Sequence, residues 1–234
     1  MKIEEIESKY KYEFPQIFKK LWNDGMLDWM NGHNGEFSLN ESWANTIYPL
    51  IKENPPLLLH SGGFDFEMLR ADEMLDFKFD EFWDIEKYEF IPFAKTEEGD
   101  VYAFCRHIIT NGDNAVVHIW NDMNETEVIA KNFEDFIFRK MLEAIFDVDK
   151  DDLKGDYKQD GFEGYLTDIS NDLKTIAPYL NVAYSNILTE LYGRKESIES
   201  MFSYGLMDKK ELLEIVQAHL VFEQLDMVFE HEVE

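Results

Sequence analysis

Three sets of residues have types and spacings that could do chemistry. Asp147, Asp149 and Asp151 fall at the alternate positions that open a calcium-binding EF-hand loop. Such a loop needs Gly at its sixth position and Glu at its twelfth, and this chain has Asp152 and Lys158 there. A solvated acidic run is the better expectation. His107 and His118 lie on two apolar runs that could approach as strands, but no third ligand at metal spacing accompanies them. His219, set among apolar residues, reads as a core or boundary histidine. Cys105 is the single cysteine, so no intramolecular disulfide can form. Its bulky neighbours predict a small, buried, apolar role rather than that of a nucleophile. The sequence has no G-x-S-x-G, G-x-x-x-x-G-K-[ST], G-x-G-x-x-G or H-E-x-x-H pattern. Its carboxylates are too many for one pair to stand out as a hydrolytic site. No catalytic residue, metal site or cofactor is expected.

The remaining set is acidic: Glu97, Glu98 and Asp100 in one expected loop, and Asp122, Glu125 and Glu127 after the second apolar run. Loops carried by a rigid scaffold are where binding groups usually sit, so these six are the candidate partner-binding residues. The plain alternative is ordinary solvated turn residues. The net charge is −27, from 49 acidic and 22 basic residues. Residues 1–145 hold 29 of those acids, so the excess is not one tail. Binding the phosphate backbone needs Lys and Arg to displace counterions, which argues against direct nucleic-acid binding. Anionic membranes are disfavoured on the same ground. A cationic partner is favoured, and solubility alone is the other reading.

The elements that must position the acidic loops come next. Ile3, Ile6 and Tyr10, then Ile17, Phe18, Leu21 and Trp22, predict two helical faces over residues 2–24, with Pro15 in the first turn of the second and Gly25 ending it. Residues 41–52 and 65–77 are further helical candidates. From Phe90 the period becomes two. Val101, Ala103 and Cys105 alternate with Tyr102, Phe104 and Arg106, and Ala115–Trp120 is a second apolar run. Asn111-Gly112 between them predicts a tight hairpin. A short strand at 127–130 and a helix at 132–146 follow. Residues 147–162, dense in Asp and Gly, read as a linker. Beyond it, Ile169, Leu173, Ile176, Leu180, Ala183, Ile187 and Leu191 recur at helical steps, divided at Pro178. Asp208 with Glu211 predicts a capped last helix through Val228, buried on two sides. The expected fold is thus α+β: a mainly antiparallel sheet covered by helices over 1–146, a linker at 147–162, and an all-helical C-terminal region over 163–234.

Three segments together resemble the SUKH superfamily of fungal cell-wall regulators and bacterial immunity proteins. The first is IEEIESKYKYEFPQIFKKLWNDG, with Ile6, Glu7, Phe14, Pro15, Phe18, Leu21, Asn23 and Gly25 matching the family's opening. The second is FIPFAKTEEGDVYAFC, similar to the family's central step through Gly99-Asp100 into a strand. The third is AVVHIWNDMNETEVIAKNFEDFI, with Ala130, Phe133 and Phe136 at the start of the final helix. The likeness covers residues 1–145, with a poorly matched middle at 26–85. It implies function by protein binding, with no shared catalytic residues. Bacterial members resemble proteins that neutralise toxins, often nucleases, and a basic toxin domain would suit a −27 chain. The alternatives are a regulatory or scaffold binding module of the same fold, and a hydrolase using a carboxylate-bound metal. No stretch approaches the ~20 apolar residues of a membrane span. MKIEEIESKY lacks the apolar core of a signal peptide, so cytoplasmic residence is expected.

Overall fold

A computed structural model of the chain describes residues 2–28, 48–63, 66–110 and 112–232. In chain order the elements begin with α1 (Ile3–Tyr10), α2 (Gln16–Asn23), α3 (Tyr48–Ile51), β1 (Glu67–Met68), α4 (Ala71–Asp76) and α5 (Ile85–Tyr88). Then come β2 (Phe90–Lys95), β3 (Val101–Thr110), β4 (Asp113–Ile119), β5 (Thr126–Ala130) and α6 (Phe133–Glu143). The remainder is β6 (Val148–Asp149), α7 (Lys150–Asp156), α8 (Gly161–Ile176), α9 (Val182–Tyr192), β7 (Ile198–Glu199), β8 (Ser203–Gly205), α10 (Lys209–His219) and β9 (Val228–Phe229). The fold is α+β. The chain divides into two compact units, one of residues 1–27, 65–137 and 219–234, the other of residues 28–64 and 138–218.

The first unit is built on an antiparallel sheet in the order β1-β2-β3-β4-β5-β9. β3 and β4 pair as the period-two reading expects, from Val101 opposite Ile119 to Thr110 opposite Asp113. Gly112 has φ +92°, the left-handed region that a tight turn needs. Asn111 lies outside the described residues. Both faces of the sheet are covered. On one, Val101, Ala103, Cys105, Ala115, Val117, Ile119 and Val128 cluster with Trp83, Tyr88 and Phe90, and Phe77, Phe79, Phe222 and Phe229 pack against them. On the other, the Phe104 ring lies 5.8 Å from Phe18, 5.0 Å from Phe93 and 5.6 Å from Phe133. Over Val101–Cys105, β3 therefore alternates in side-chain size rather than in polarity, because both faces are buried there.

The helical start follows from local chemistry. Glu7 Oε1 accepts from the Phe14 amide at 2.9 Å and pairs with Lys19 at 2.9 Å, which pins the α1–α2 connection. Ile6, Phe14, Phe18 and Leu21 are buried, and the Phe14 and Phe18 rings lie against Phe104 of β3.

In the second unit α8 is the central helix. Tyr165 donates to the Ala144 carbonyl at 2.8 Å, and Asp172 Oδ2 accepts from the amides of His60 at 2.9 Å and Ser61 at 2.6 Å. Phe138 stacks on Tyr184 with ring centroids 4.0 Å apart. A three-stranded antiparallel sheet, β6-β8-β7, completes the unit.

Five expectations are corrected. The C-terminal region is not all helix, since β7, β8 and β9 interrupt it. Residues 147–162 are not a linker. They hold β6, α7 and the entry to α8, and Asp149 caps α7 by accepting from the Asp151 amide at 2.6 Å. The Asp run is thus a strand end and a helix start, where carboxylates offset the orphan N–H groups. The last helix stops at His219, where the chain passes into the segment that carries β9, and it has no fully buried residue. α9 buries Tyr184, Leu188 and Leu191, and not Ala183 or Ile187. Residues 67–68 of the second helical candidate are β1, an edge strand recruited by β2, and helix begins only at Ala71. Of residues 41–52, 41–47 lie outside the described residues. Among the described residues no helix is long and apolar enough to cross a membrane.

Candidate functional site

The antiparallel order of β2, β3, β4 and β5 brings two turns to one end of the sheet. Lys95 pairs with Val101 across the first, and Ile119 pairs with Thr126 across the second. The sequence-expected acids are therefore neighbours in space, although more than twenty residues separate Glu98 from Asp122.

Asp100 ties the two turns together. It is buried, and its Oδ2 lies 3.0 Å from His118 Nε2 while its Oδ1 accepts from the Asn121 amide at 2.8 Å. The Asn121 side chain donates back to the Glu98 carbonyl at 3.3 Å. Gly99 holds φ +98°, and a Cβ there would sit 3.2 Å from the Asn121 side chain. The close approach of the turns thus depends on glycine's missing side chain. Asp100 belongs to the scaffold, while Glu97, Glu98, Asp122 and Glu125 are exposed and Glu127 is half-buried.

The site has more members than the acidic pattern suggests. Trp120, half-buried at the start of the second turn, packs on His118 with centroids 4.3 Å apart, and His118 stacks on Tyr102 at 4.6 Å. Met123 is exposed at the tip of that turn. On the β2 side, Lys95 pairs with Glu73 at 3.0 Å and reaches Glu67 at 4.0 Å. Burial raises the Glu67 carboxyl above its ordinary value, Lys95 opposes this, and Glu73 and Glu97 add to it. Exposed carboxylates in the same two turns as a Trp and a Met offer what a protein-binding surface needs: charge to orient a cationic partner and apolar groups to hold it. Trp120 and Met123 read in the sequence as a strand end and a turn, and only the pairing register shows that they flank the acids.

Asp100→Ala is expected to lower stability by about 2–3 kcal/mol, the cost of unpairing buried polar groups from a charged acceptor. Urea denaturation checks this. A change below about 0.5 kcal/mol would mean that the turns do not depend on this carboxylate.

The other candidates are not drawn into a site. His118 pairs opposite Tyr102, so the hairpin does not bring it to His107, which is exposed near the Tyr88 ring. The Cys105 thiol is buried, and desolvation pushes it up to about 11, which keeps it protonated at neutral pH. Among the described residues no group of three or more His, Cys, Asp or Glu is placed to hold a metal ion.

A model of the SMI1 / KNR4 family (SUKH-1) matches residues 2–139, a span that includes both turns. No curated protein and no solved structure matches the chain.

Proposed function

The chain belongs to the SMI1 / KNR4 family (SUKH-1), and from that premise we propose that it is an immunity-type protein that binds and neutralises a cognate toxin domain of basic surface. The observation that supports this most is the convergence of the two acidic turns at one sheet end, locked by Asp100, with Trp120 and Met123 carried on the second of them. The loops are fixed before binding, so little ordering cost falls on association. Glu97, Glu98, Asp122 and Glu125 lie outward, where they can steer a cationic partner. Trp120 and Met123 on the second turn supply contact area. The chain works in the cytoplasm on this reading, beside the target that the toxin would attack.

Growth rescue identifies the partner: co-expression of the full chain restores growth of cells making a basic toxin domain. Binding kinetics with that domain then test the surface. Raising salt from low to physiological concentration is expected to slow association roughly tenfold, with a smaller effect on dissociation. Glu97→Lys with Glu98→Lys is expected to slow it further while stability stays within about 0.5 kcal/mol of wild type. Asp100 is left intact in this test, because its loss acts through the scaffold. An association rate indifferent to both salt and charge reversal would overturn the proposal that this sheet end meets the partner.

A further inference from the structure

The hairpin formed by β7 and β8 ends in two large apolar residues. Met201 is 82 % exposed and Phe202 is 68 % exposed. Turn tips are normally filled by Gly, Asn, Asp, Ser or Pro, which supply the needed backbone angles and keep water in contact. Here the tip has neither a glycine nor a residue at positive φ.

Its shape comes from serines instead. The Ser200 amide donates to the Ser203 carbonyl at 2.9 Å. The Ser200 hydroxyl oxygen accepts from the Phe202 amide at 3.2 Å and the Ser203 amide at 2.9 Å, and it lies 2.8 Å from the Ser203 hydroxyl. The flanking segment fixes the tip from the side. The Lys150 amide donates to the Phe202 carbonyl at 2.8 Å, and Lys150 Nζ donates to the Ser200 carbonyl at 2.7 Å and pairs with Glu199 at 2.6 Å. The backbone around Met201 and Phe202 is therefore bonded in place, while their side chains stand in solvent. Ile198 on the same hairpin, opposite Gly205, is 48 % exposed.

Exposed carboxylates surround it. Asp149 lies opposite Ser203 on β6, Asp151 and Asp152 follow in the first turn of α7, and Glu196 and Glu199 precede or lie on β7. Against these stand Lys150, paired with Glu199, Lys154, paired with Asp151, and Lys195. A rigid apolar knob in an acidic ring suits a cationic surface with an apolar pocket, since Met and aromatic side chains are enriched at the centres of interfaces. A second copy of this chain is a poor occupant, because each copy carries −27. Anionic membrane surfaces are disfavoured by the same charge.

We propose that the Met201–Phe202 tip is an affinity anchor for the basic toxin domain, a contact distinct from the acidic sheet end and outside the segment that defines the family. It rests on the proposed immunity function for the identity of the partner, but on separate residues. In the complex the tip slows dissociation.

The test uses the full chain and the toxin domain identified by growth rescue. Met201→Ser with Phe202→Ser is expected to weaken binding roughly 30-fold or more, almost wholly through faster dissociation. The denaturation midpoint should not fall, because both side chains are solvated. Phe202→Trp alone, which keeps an aromatic anchor, is expected to retain affinity within roughly threefold. Wild-type binding with no loss in the double variant overturns the anchor and leaves the sheet-end reading standing. Wild-type failure to bind any basic toxin domain overturns both. A fall in the apparent mass of the free chain on making the double variant would show a self-contact and overturn the assignment to a toxin.

Discussion

Deleting residues 221–234 is expected to lower stability by about 3 kcal/mol or more and to cause self-association, although among the described residues the deleted segment holds a single two-residue strand. That segment closes the edge of the main sheet and one of its faces. β9 pairs with β5, Thr126 opposite Phe229 and Glu127 opposite Val228. The Val128 amide donates to the Met227 carbonyl at 2.9 Å, and the Asp226 amide donates to the Val128 carbonyl at 2.9 Å. Phe229 packs on Tyr88 with centroids 4.7 Å apart, and the Tyr88 hydroxyl donates to the Glu230 carbonyl at 2.8 Å. His231, 1 % exposed, lies against Trp83 at 4.8 Å and 3.0 Å from the Thr126 hydroxyl. Its amide and that of Glu232 both donate to Asn124 Oδ1 at 2.8 Å, so the tail also steadies the second acidic turn. Without it, Trp83, Tyr88 and Val128 lose cover and β5 becomes an open edge, the usual template for strand addition. Urea denaturation and light scattering of the shortened chain measure both effects. Phe229→Ala alone is expected to cost about 1–2 kcal/mol, as for a half-buried aromatic. A shortened chain that stays monomeric with an unchanged midpoint would show that the sheet does not need this strap. The same argument predicts that residues 1–146 alone, which lack β9, form an incomplete first unit.

The strap was not legible in the sequence, and the reason is physical. β1 and β9 have two residues each, too few to show a period, and neighbours recruit them through backbone hydrogen bonds. β6, β7 and β8 are equally short, so 147–162 presented only its composition, and Asp and Lys serve a helix cap as readily as a linker. Longer elements announced themselves. The alternation through Val101 and Cys105, the glycine of the hairpin and the Ala130, Phe133 and Phe136 step all follow from burial on a repeating surface. The site was half legible. Acids in turns mark a candidate rim, but nothing local tells buried Asp100 from exposed Glu98, because what buries Asp100 is His118, on another strand. Trp120 belongs with the acids only once Ile119 is seen opposite Thr126.

Two buried groups on the second unit are expected to give the chain a pH response visible only when one is removed. Burial pushes the Asp172 carboxyl up from 3.8 to about 7, against the two amides of Ser61 and His60 that lower it, with Asp168 adding to the rise. Burial pushes His60 down from 6.5 to about 4, with Asp168 opposing and Lys52 reinforcing. Between pH 3.8 and 7 the folded chain keeps a proton on Asp172 that the unfolded chain has lost, so this residue makes stability fall as pH rises. Between pH 4 and 6.5 the unfolded chain holds a proton on His60 that the folded chain lacks, so this residue makes stability rise with pH. The windows overlap almost fully and the signs are opposite, so the pair's contributions largely cancel in the wild type. His60→Asn leaves Asp172 uncompensated, and stability relative to wild type should then fall by as much as about 3 kcal/mol from pH 4 to 6.5. Asp172→Asn leaves His60 uncompensated and should give a rise of similar size. Each substitution also shifts the level at every pH, so the slope relative to wild type carries the result. The chain's other carboxylates are common to all three proteins and drop out of that difference. Denaturant midpoints at half-unit steps from pH 4 to 7.5 measure it. Three parallel profiles would show that neither group changes its proton affinity on folding.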